Sequence, residues 1–201
     1  GNKHFNSDRV YTDSFTQNRY IASQCEKDEN HMKALIMQEK PNYVLMVTGV
    51  IEGEEEQRKA KCHNYFVKQD EPVEKQPKLP HPTGYKYLPE NFEYLFSKLQ
   101  PDEETGLDIR TTEIPVGDGK GDVTHYHYTK WPDHGVPTKK DEFGNDIFDY
   151  DDALLRMIND SAEYLEYPTP DSPPDSPTKR PILVHCSAGI GRTGVTILMI
   201  E

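Results

Sequence analysis

Apolar positions fall in short dense runs separated by long polar stretches, and the kind of run changes along the chain. Arg19 to Ser23 predicts a short strand. Asp28 to Lys40 carries helical spacing with Met32, Leu35 and Ile36 on one face, and Pro41 ends that helix. Tyr43 to Val47 has the length and bulk of a buried strand. Glu52 to Lys61 reads as a charged, solvated turn, and Lys61 to Lys68 resumes as a strand. Asn91 to Leu99 is apolar enough to be buried, but periodicity does not separate strand from helix there. Leu107 to Val116 and Val123 to Thr129 predict two strands joined across Gly117 to Gly121, a hairpin. Asp149 to Tyr167 predicts a helix with acidic residues in its first turn and Leu154, Leu155, Ile158 and Leu165 on a common face.

Two polar insertions interrupt this order. Gln69 to Gly84 holds Pro72, Pro77, Pro80 and Pro82 with little to bury, an exposed loop. Residues 167–181 hold Pro168, Pro170, Pro173, Pro174, Pro177 and Pro181 among Ser, Thr and Asp, a mobile surface insertion. Ser172, Ser176 and Thr169 each precede a proline there. No internal repeat is present. Mixed strands and helices in this order predict an α/β fold.

Composition narrows the function. The 201 residues carry 23 Lys and Arg against 35 Asp and Glu, a net charge of −12. That is a poor footprint for a nucleic-acid backbone or an anionic membrane. Leu, Ile, Val and Phe number 41 of 201, near the boundary of intrinsic disorder, but they are clustered, which argues for a core. No run reaches the roughly 20 apolar residues of a membrane-spanning helix. Cys25, Cys62 and Cys186 are an odd number with no zinc-like spacing. The expectation is a reducing, cytoplasmic setting, no disulfide framework, and buried apolar thiols at Cys25 and Cys62. His125 and His127 share a strand face, but no third ligand accompanies them, so they read as core histidines and no metal is expected.

The chemistry is concentrated near the end. Pro181 to His185 predicts a buried strand, Cys186 to Gly194 a loop of small residues, and Val195 to Glu201 an apolar helix. A glycine loop between strand and helix converges N–H groups on one point, and the helix entrance adds positive potential. Gly189-x-Gly191-x-x-Gly194 matches a dinucleotide fingerprint, but no second strand with its acidic residue follows. Gly189-x-x-x-x-Gly194 has phosphate-loop spacing, but Val195 stands where the lysine is needed. The remaining reading uses Cys186 and Arg192. A thiolate at the mouth of such a cradle is stabilised by the N–H groups that bind the anion. Arg192, six residues on, can grip two phosphate oxygens with its planar fork. Together they suit phosphoryl transfer to sulfur.

His185-Cys-Ser-Ala-Gly-Ile-Gly-Arg-Thr-Gly194 resembles the signature loop of the protein-tyrosine phosphatases. Trp131-Pro-Asp-His-Gly-Val-Pro137 resembles that family's mobile acid loop, and His125-Tyr-His-Tyr-Thr129 the strand before it. Lys61-Cys-His-Asn-Tyr65 and Tyr20-Ile-Ala-Ser-Gln24 are further matches, in family order. The resemblance implies a twisted mixed β-sheet flanked by helices, with the phosphate-binding loop between a central strand and a helix. It implies Cys186 as nucleophile, Arg192 as phosphate clamp and Asp133 as general acid. Ser187, Ala188, Gly189, Ile190, Gly191, Arg192 and Thr193 would line the phosphate site, with Thr193 bonded to the thiolate. His134 would line the pocket, Trp131 would anchor the acid loop, and His185 would order the signature loop.

The implied partners are phosphotyrosine-containing proteins, with no cofactor, no metal and no nucleic acid. Glu90 or Glu93 would supply the carboxylate that pairs with Arg192. Where the family continues Gln-Gly-Pro, this chain has Gln24-Cys25-Glu26. The family's tyrosine-bearing loop and the helices after the signature loop have no copy here. The expectation is therefore one incomplete catalytic domain over residues 1–201, trimmed at both ends, cytoplasmic or the cytoplasmic domain of a larger protein. An inactive phosphotyrosine-binding relative and a dual-specificity phosphatase are the alternatives.

Overall fold

A computed structural model describes residues 7–10, 20–25, 29–53, 59–62, 64–66, 96, 98–132, 135–166 and 179–201. In chain order its elements are β1 (Ser7–Val10), β2 (Tyr20–Gln24), α1 (Glu29–Glu39), β3 (Tyr43–Met46), β4 (Ile51–Glu52), β5 (Lys59–Ala60) and β6 (Lys98–Pro101). They continue as β7 (Asp108–Val116), β8 (Gly119–His127), β9 (Thr138–Lys140), β10 (Asp146–Phe148), α2 (Asp152–Glu166), β11 (Ile182–Cys186) and α3 (Gly191–Ile200). Seven strands form one sheet in the order β1-β2-β11-β3-β8-β7-β6. The four central strands β2, β11, β3 and β8 run parallel, while β1, β7 and β6 run antiparallel to their neighbours. This is the twisted mixed α/β sheet that the sequence predicts.

Strand β11 reads Ile-Leu-Val-His-Cys without a polar break until its end, and every residue in it is buried. A strand covered on both faces needs that pattern. Its alternate side chains divide between two cores. Leu183 joins Ile21, Val44, Met46 and the α1 residues Met32, Leu35 and Ile36 on one face. Ile182, Val184 and Cys186 join Tyr20, Leu45, the α2 residues Leu154, Met157 and Ile158, and Ile197 of α3 on the other. The sheet is therefore sandwiched by α1 on one side and by α2 with α3 on the other.

Local chemistry sets the element ends. Lys40 closes α1 in the left-handed region (φ 51°) with its N–H on Ile36 O, ahead of Pro41. Asp151 caps α2 by accepting the Leu154 N–H at 2.9 Å, so the helix begins three residues after the predicted Asp149. The β7–β8 hairpin turns on Gly117 and Asp118 alone, with φ +57° at Gly117, and Val116 pairs with Gly119.

Three expectations change. Leu155 lies on the outer side of α2, and the inward stripe is Ala153, Leu154, Met157, Ile158, Ser161 and Tyr164. Tyr65 and Phe66 are buried, but the described part of Lys61 to Lys68 forms a single bridge rather than a strand. Helix α3 starts at Gly191, four residues before the predicted Val195, which puts Arg192 and Thr193 in its first turn. The hairpin of β9 and β10 is new. The loop at residues 69–84 and residues 167–178 of the Pro-rich insertion lie outside the described residues. Among the described residues no helix is long and apolar enough to cross a membrane.

Candidate active site

The loop Ser187 to Ile190 leaves the carboxyl end of β11 and enters α3, at the centre of the four parallel strands. That is where an open α/β sheet offers a crevice. Neighbouring strands brace it from both sides. Val47 N–H donates to His185 O at 3.0 Å, and Cys25 N–H donates to Ser187 O at 3.0 Å. Gly189 turns the chain with φ +73°, and a Cβ there would stand 2.6 Å from the backbone of Ser23 and Gln24. Only glycine lets the loop lie this close to β2.

Cys186, the last residue of β11, is buried. Its Sγ accepts the Gly189 N–H and the Thr193 hydroxyl, both at 3.2 Å. Two donors thus converge on one sulfur, beside the entrance of α3. Ile190 precedes that helix without capping it through its side chain. Cys186, Thr193, Gly189 and Arg192 are thus brought together as the sequence predicts.

Arg192 is held by a carboxylate that the sequence reading missed. Its Nη1 donates to Glu52 Oε1 at 2.5 Å and to Val47 O at 3.4 Å, and its Nη2 donates to Glu52 Oε2 at 2.8 Å. Glu52 is fixed in turn, since its Oε1 also accepts the Gly49 N–H at 2.8 Å and the Thr48 hydroxyl at 3.0 Å. Burial works to raise the Glu52 pKa, but the hydrogen bonds from Arg192, Gly49 and Thr48 outweigh it and hold the carboxyl below its usual range. The solvated turn expected from Glu52 onward is corrected here: Glu52 points inward, because β4 aims it at the loop. Glu90 and Glu93 lie outside the described residues, and the partner of Arg192 is Glu52. Nothing in the run Glu52, Glu54, Glu55, Glu56 distinguishes the first carboxylate by composition. The local signal was Thr48-Gly49, which folds a turn able to hold it.

Behind the loop, on the α1 face, lies a layer of buried rings. The Tyr65 hydroxyl is 2.6 Å from His185 Nε2 and 2.9 Å from His125 Nε2. His127 Nε2 donates to Thr48 O at 2.9 Å. Burial keeps these imidazoles neutral: it pushes His185 down to about 3 and His127 to about 4, and holds His125 well below its ordinary value. His185 Nδ1 also faces Cys186 O at 3.4 Å.

Cys25 and Cys62 are buried, but they are not thiols. They form a disulfide, with Cα atoms 5.2 Å apart and a sequence separation of 37. This overturns the expectation of separate reduced cysteines. The end of β2 and the segment before Tyr65 converge behind the signature loop, a proximity that sequence distance conceals. Cys25, Cys62 and His185 also form a group of donor atoms within 4.8 Å of one another. The two sulfurs in it are committed to each other.

Trp131 is buried against Phe148 of β10, edge to face at 6.3 Å, and its indole N–H donates to Gly135 O at 3.1 Å. This bond spans the base of the loop that contains Asp133 and His134. Those two residues lie outside the described ones.

The family model described as protein-tyrosine phosphatase matches residues 1–200. Tyrosine phosphatase H2 of Microplitis demolitor bracovirus (isolate Webb) is 38% identical over 99 residues, covering 48% of this chain and 28% of that protein. The human tyrosine-protein phosphatase non-receptor type 2 is 28% identical over 173 residues, covering 84% of this chain and 32% of that protein. The chain thus spans about a third or less of these two relatives. Among solved structures, the catalytic domain of human protein tyrosine phosphatase non-receptor type 18 superposes with a TM-score of 0.61 at 23% identity, covering 96% of this chain and 56% of that one.

Proposed function

Because the chain belongs to the protein-tyrosine phosphatase family, we propose that it hydrolyses phosphotyrosine on proteins through a cysteinyl-phosphate intermediate. The observation that carries this is the sulfur of Cys186, which receives Gly189 N–H and Thr193 Oγ1–H at 3.2 Å beside a guanidinium fixed by Glu52. A sulfur so placed suits nucleophilic attack on an anion held in the cradle.

In the first step the Cys186 thiolate attacks phosphorus. The N–H groups of Ser187, Ala188, Gly189, Ile190, Gly191 and Arg192, with the Arg192 side chain, stabilise the equatorial oxygens. Asp133 gives its proton to the departing tyrosine oxygen, with His134 lining the ring pocket and Trp131 anchoring the acid loop. In the second step water gives a proton to the Asp133 carboxylate left by the first step and displaces the sulfur, whose departure as thiolate is eased by the Thr193 hydroxyl. No redox step or cofactor enters this scheme.

On this reading residues 1–201 are part of one catalytic domain, with 167–181 a surface insertion within it. The setting is cytoplasmic, either as a soluble enzyme or as the cytoplasmic domain of a larger protein. The test is hydrolysis of a small aryl phosphate and of matched phosphotyrosine and phosphoserine peptides. Turnover confined to the phosphotyrosine peptide and abolished by Cys186→Ser supports the proposal. Turnover that survives Cys186→Ser refutes it, and equal turnover of both peptides points to the dual-specificity reading.

A further inference from the structure

The Cys25–Cys62 bond lies behind the phosphate-binding loop, and each of its residues is linked to that loop. Cys25 donates its backbone N–H to Ser187 O at 3.0 Å, and the residues just before it, Ser23 and Gln24, are the backbone against which Gly189 packs. Cys62 lies three residues before Tyr65, whose hydroxyl holds His185 at 2.6 Å. The disulfide therefore ties together the two supports that meet behind the phosphate-binding loop. The tie depends on Cys25, which stands at the glycine position of the Gln-Gly-Pro that the resemblance leads one to expect after Gln24.

Resting on the proposed phosphate site, we infer that Cys25–Cys62 is a thiol-exchangeable brace whose redox state sets the loop's affinity for phosphate. With the bond closed, the end of β2 is fixed, the Cys25 N–H stays on Ser187 O, and the loop N–H groups keep their convergence. With it open, two strand ends are free to separate and the cradle loses its preorganisation. Both cysteines are buried, so exchange needs a local opening. The segment around Cys62 offers one. It is held by β4–β5, a ribbon of two residue pairs, and by Lys61 N–H and Cys62 N–H on Val50 O at 2.9 and 3.4 Å. The exposed β5 arm of this ribbon opens at low cost compared with the central sheet, while Glu52 keeps β4 on Arg192.

The exchange balances with a dithiol as reductant. One dithiol sulfur attacks a sulfur of the pair, giving a mixed disulfide and one protein thiolate. The second dithiol sulfur then closes the reductant's own disulfide and releases the other protein sulfur. Two electrons pass to the protein, two protons complete the thiols of Cys25 and Cys62, and the dithiol leaves oxidised. Reoxidation by a low-molecular-weight disulfide reverses each step.

The chain has three cysteines, so Cys186→Ser leaves only this pair. In that protein a thiol titration reads the bond directly: none when closed, two when open. Inorganic phosphate binding is then measured in both states. The expected result is binding about three- to tenfold weaker when two thiols titrate, restored on reoxidation. Adding Cys25→Gly should fix the affinity at the weaker value in either buffer. Equal affinity in the two states, two thiols titrating before any reductant is added, or a redox dependence that persists in Cys25→Gly overturns the inference. Absence of phosphate binding in every state overturns the phosphate-site reading itself. If the Cys25→Gly protein does not fold, the two states of the Cys186→Ser protein decide alone.

Discussion

Both Nη groups of Arg192 rest on the two carboxylate oxygens of Glu52, at 2.5 and 2.8 Å, across 140 residues of sequence. The pair is buried on both sides, with side-chain exposures of 8% and 13%. Removing one member of such a pair leaves the other charge uncompensated and its geometry unset. Glu52→Gln is expected to lower kcat/KM for an aryl phosphate about 10- to 100-fold, since small misplacements of a clamp cost that much. Glu52→Asp, with a shorter reach, should lose less. Steady-state kinetics on the three proteins checks the order.

Gly189 is the position where the loop tolerates no side chain. Its positive φ and the 2.6 Å approach to Ser23 and Gln24 act together against Gly189→Ala. Strain and overpacking each cost on the order of 1–3 kcal/mol. A lower melting temperature together with loss of phosphate binding is expected. A Gly194→Ala control should be mild, because a Cβ there meets nothing within 4 Å.

Stability should fall in mild acid. His185 and His127 stay neutral in the fold down to about 3 and about 4, whereas an unfolded histidine takes its proton near 6.5. Between those values the unfolded chain binds more protons, so the contribution of each buried imidazole, whole above about 6.5, drains away as pH falls. The slope reaches about 1.4 kcal/mol per pH unit for each histidine. Melting temperature followed from about pH 8 to about pH 4 should decline across this window. The decline should be shallower by about one proton in His127→Gln.

Asp133→Ala is expected to reduce kcat by about 10²- to 10⁴-fold and to remove the alkaline limb of the pH–rate profile, the signature of a lost general acid. An unchanged alkaline limb would assign that limb to another group.

Thr193→Val removes the hydroxyl that donates to Cys186 Sγ at 3.2 Å while keeping the side-chain shape. Turnover of an aryl phosphate should fall about tenfold, which steady-state kinetics on the two proteins checks.

What the sequence disclosed about the site follows from how its parts are spaced. Cys186, Gly189, Arg192 and Thr193 lie within eight residues, so their chemistry could be read from one segment. Glu52 and the Cys25–Cys62 pair acquire their meaning only when β4, β2 and the Tyr65 segment converge on that loop, and no local pattern encodes such convergence. In the fold, β11 and the β7–β8 hairpin were legible because apolar periodicity and a Gly-Asp turn specify them. The β9–β10 hairpin was not. Its register is marked by Lys139–Asp149 and Lys140–Asp146 ion pairs at 3.1 and 2.8 Å, which in sequence look like ordinary surface charge. Leu155 was placed inward on a face shared with Leu154, Ile158 and Leu165, whereas the orientation of α2 is set by the stripe from Ala153 to Tyr164.

Among the described residues the strand latest in sequence, β11, lies inside the sheet rather than at its edge. Strands β2 and β3 do not pair with each other; β11 lies between them, and it is made more than 130 residues after β3. During synthesis both strands must wait with an open edge toward the gap, at the middle of the future sheet. Pairing across such sequence distances is slow, and waiting edges are sticky. Arrival of β11 closes the gap and carries Cys186 into place in the same event. An incompletely folded chain therefore lacks the arrangement of Gly189 and Thr193 around Cys186, which forms only once β11 has docked between β2 and β3.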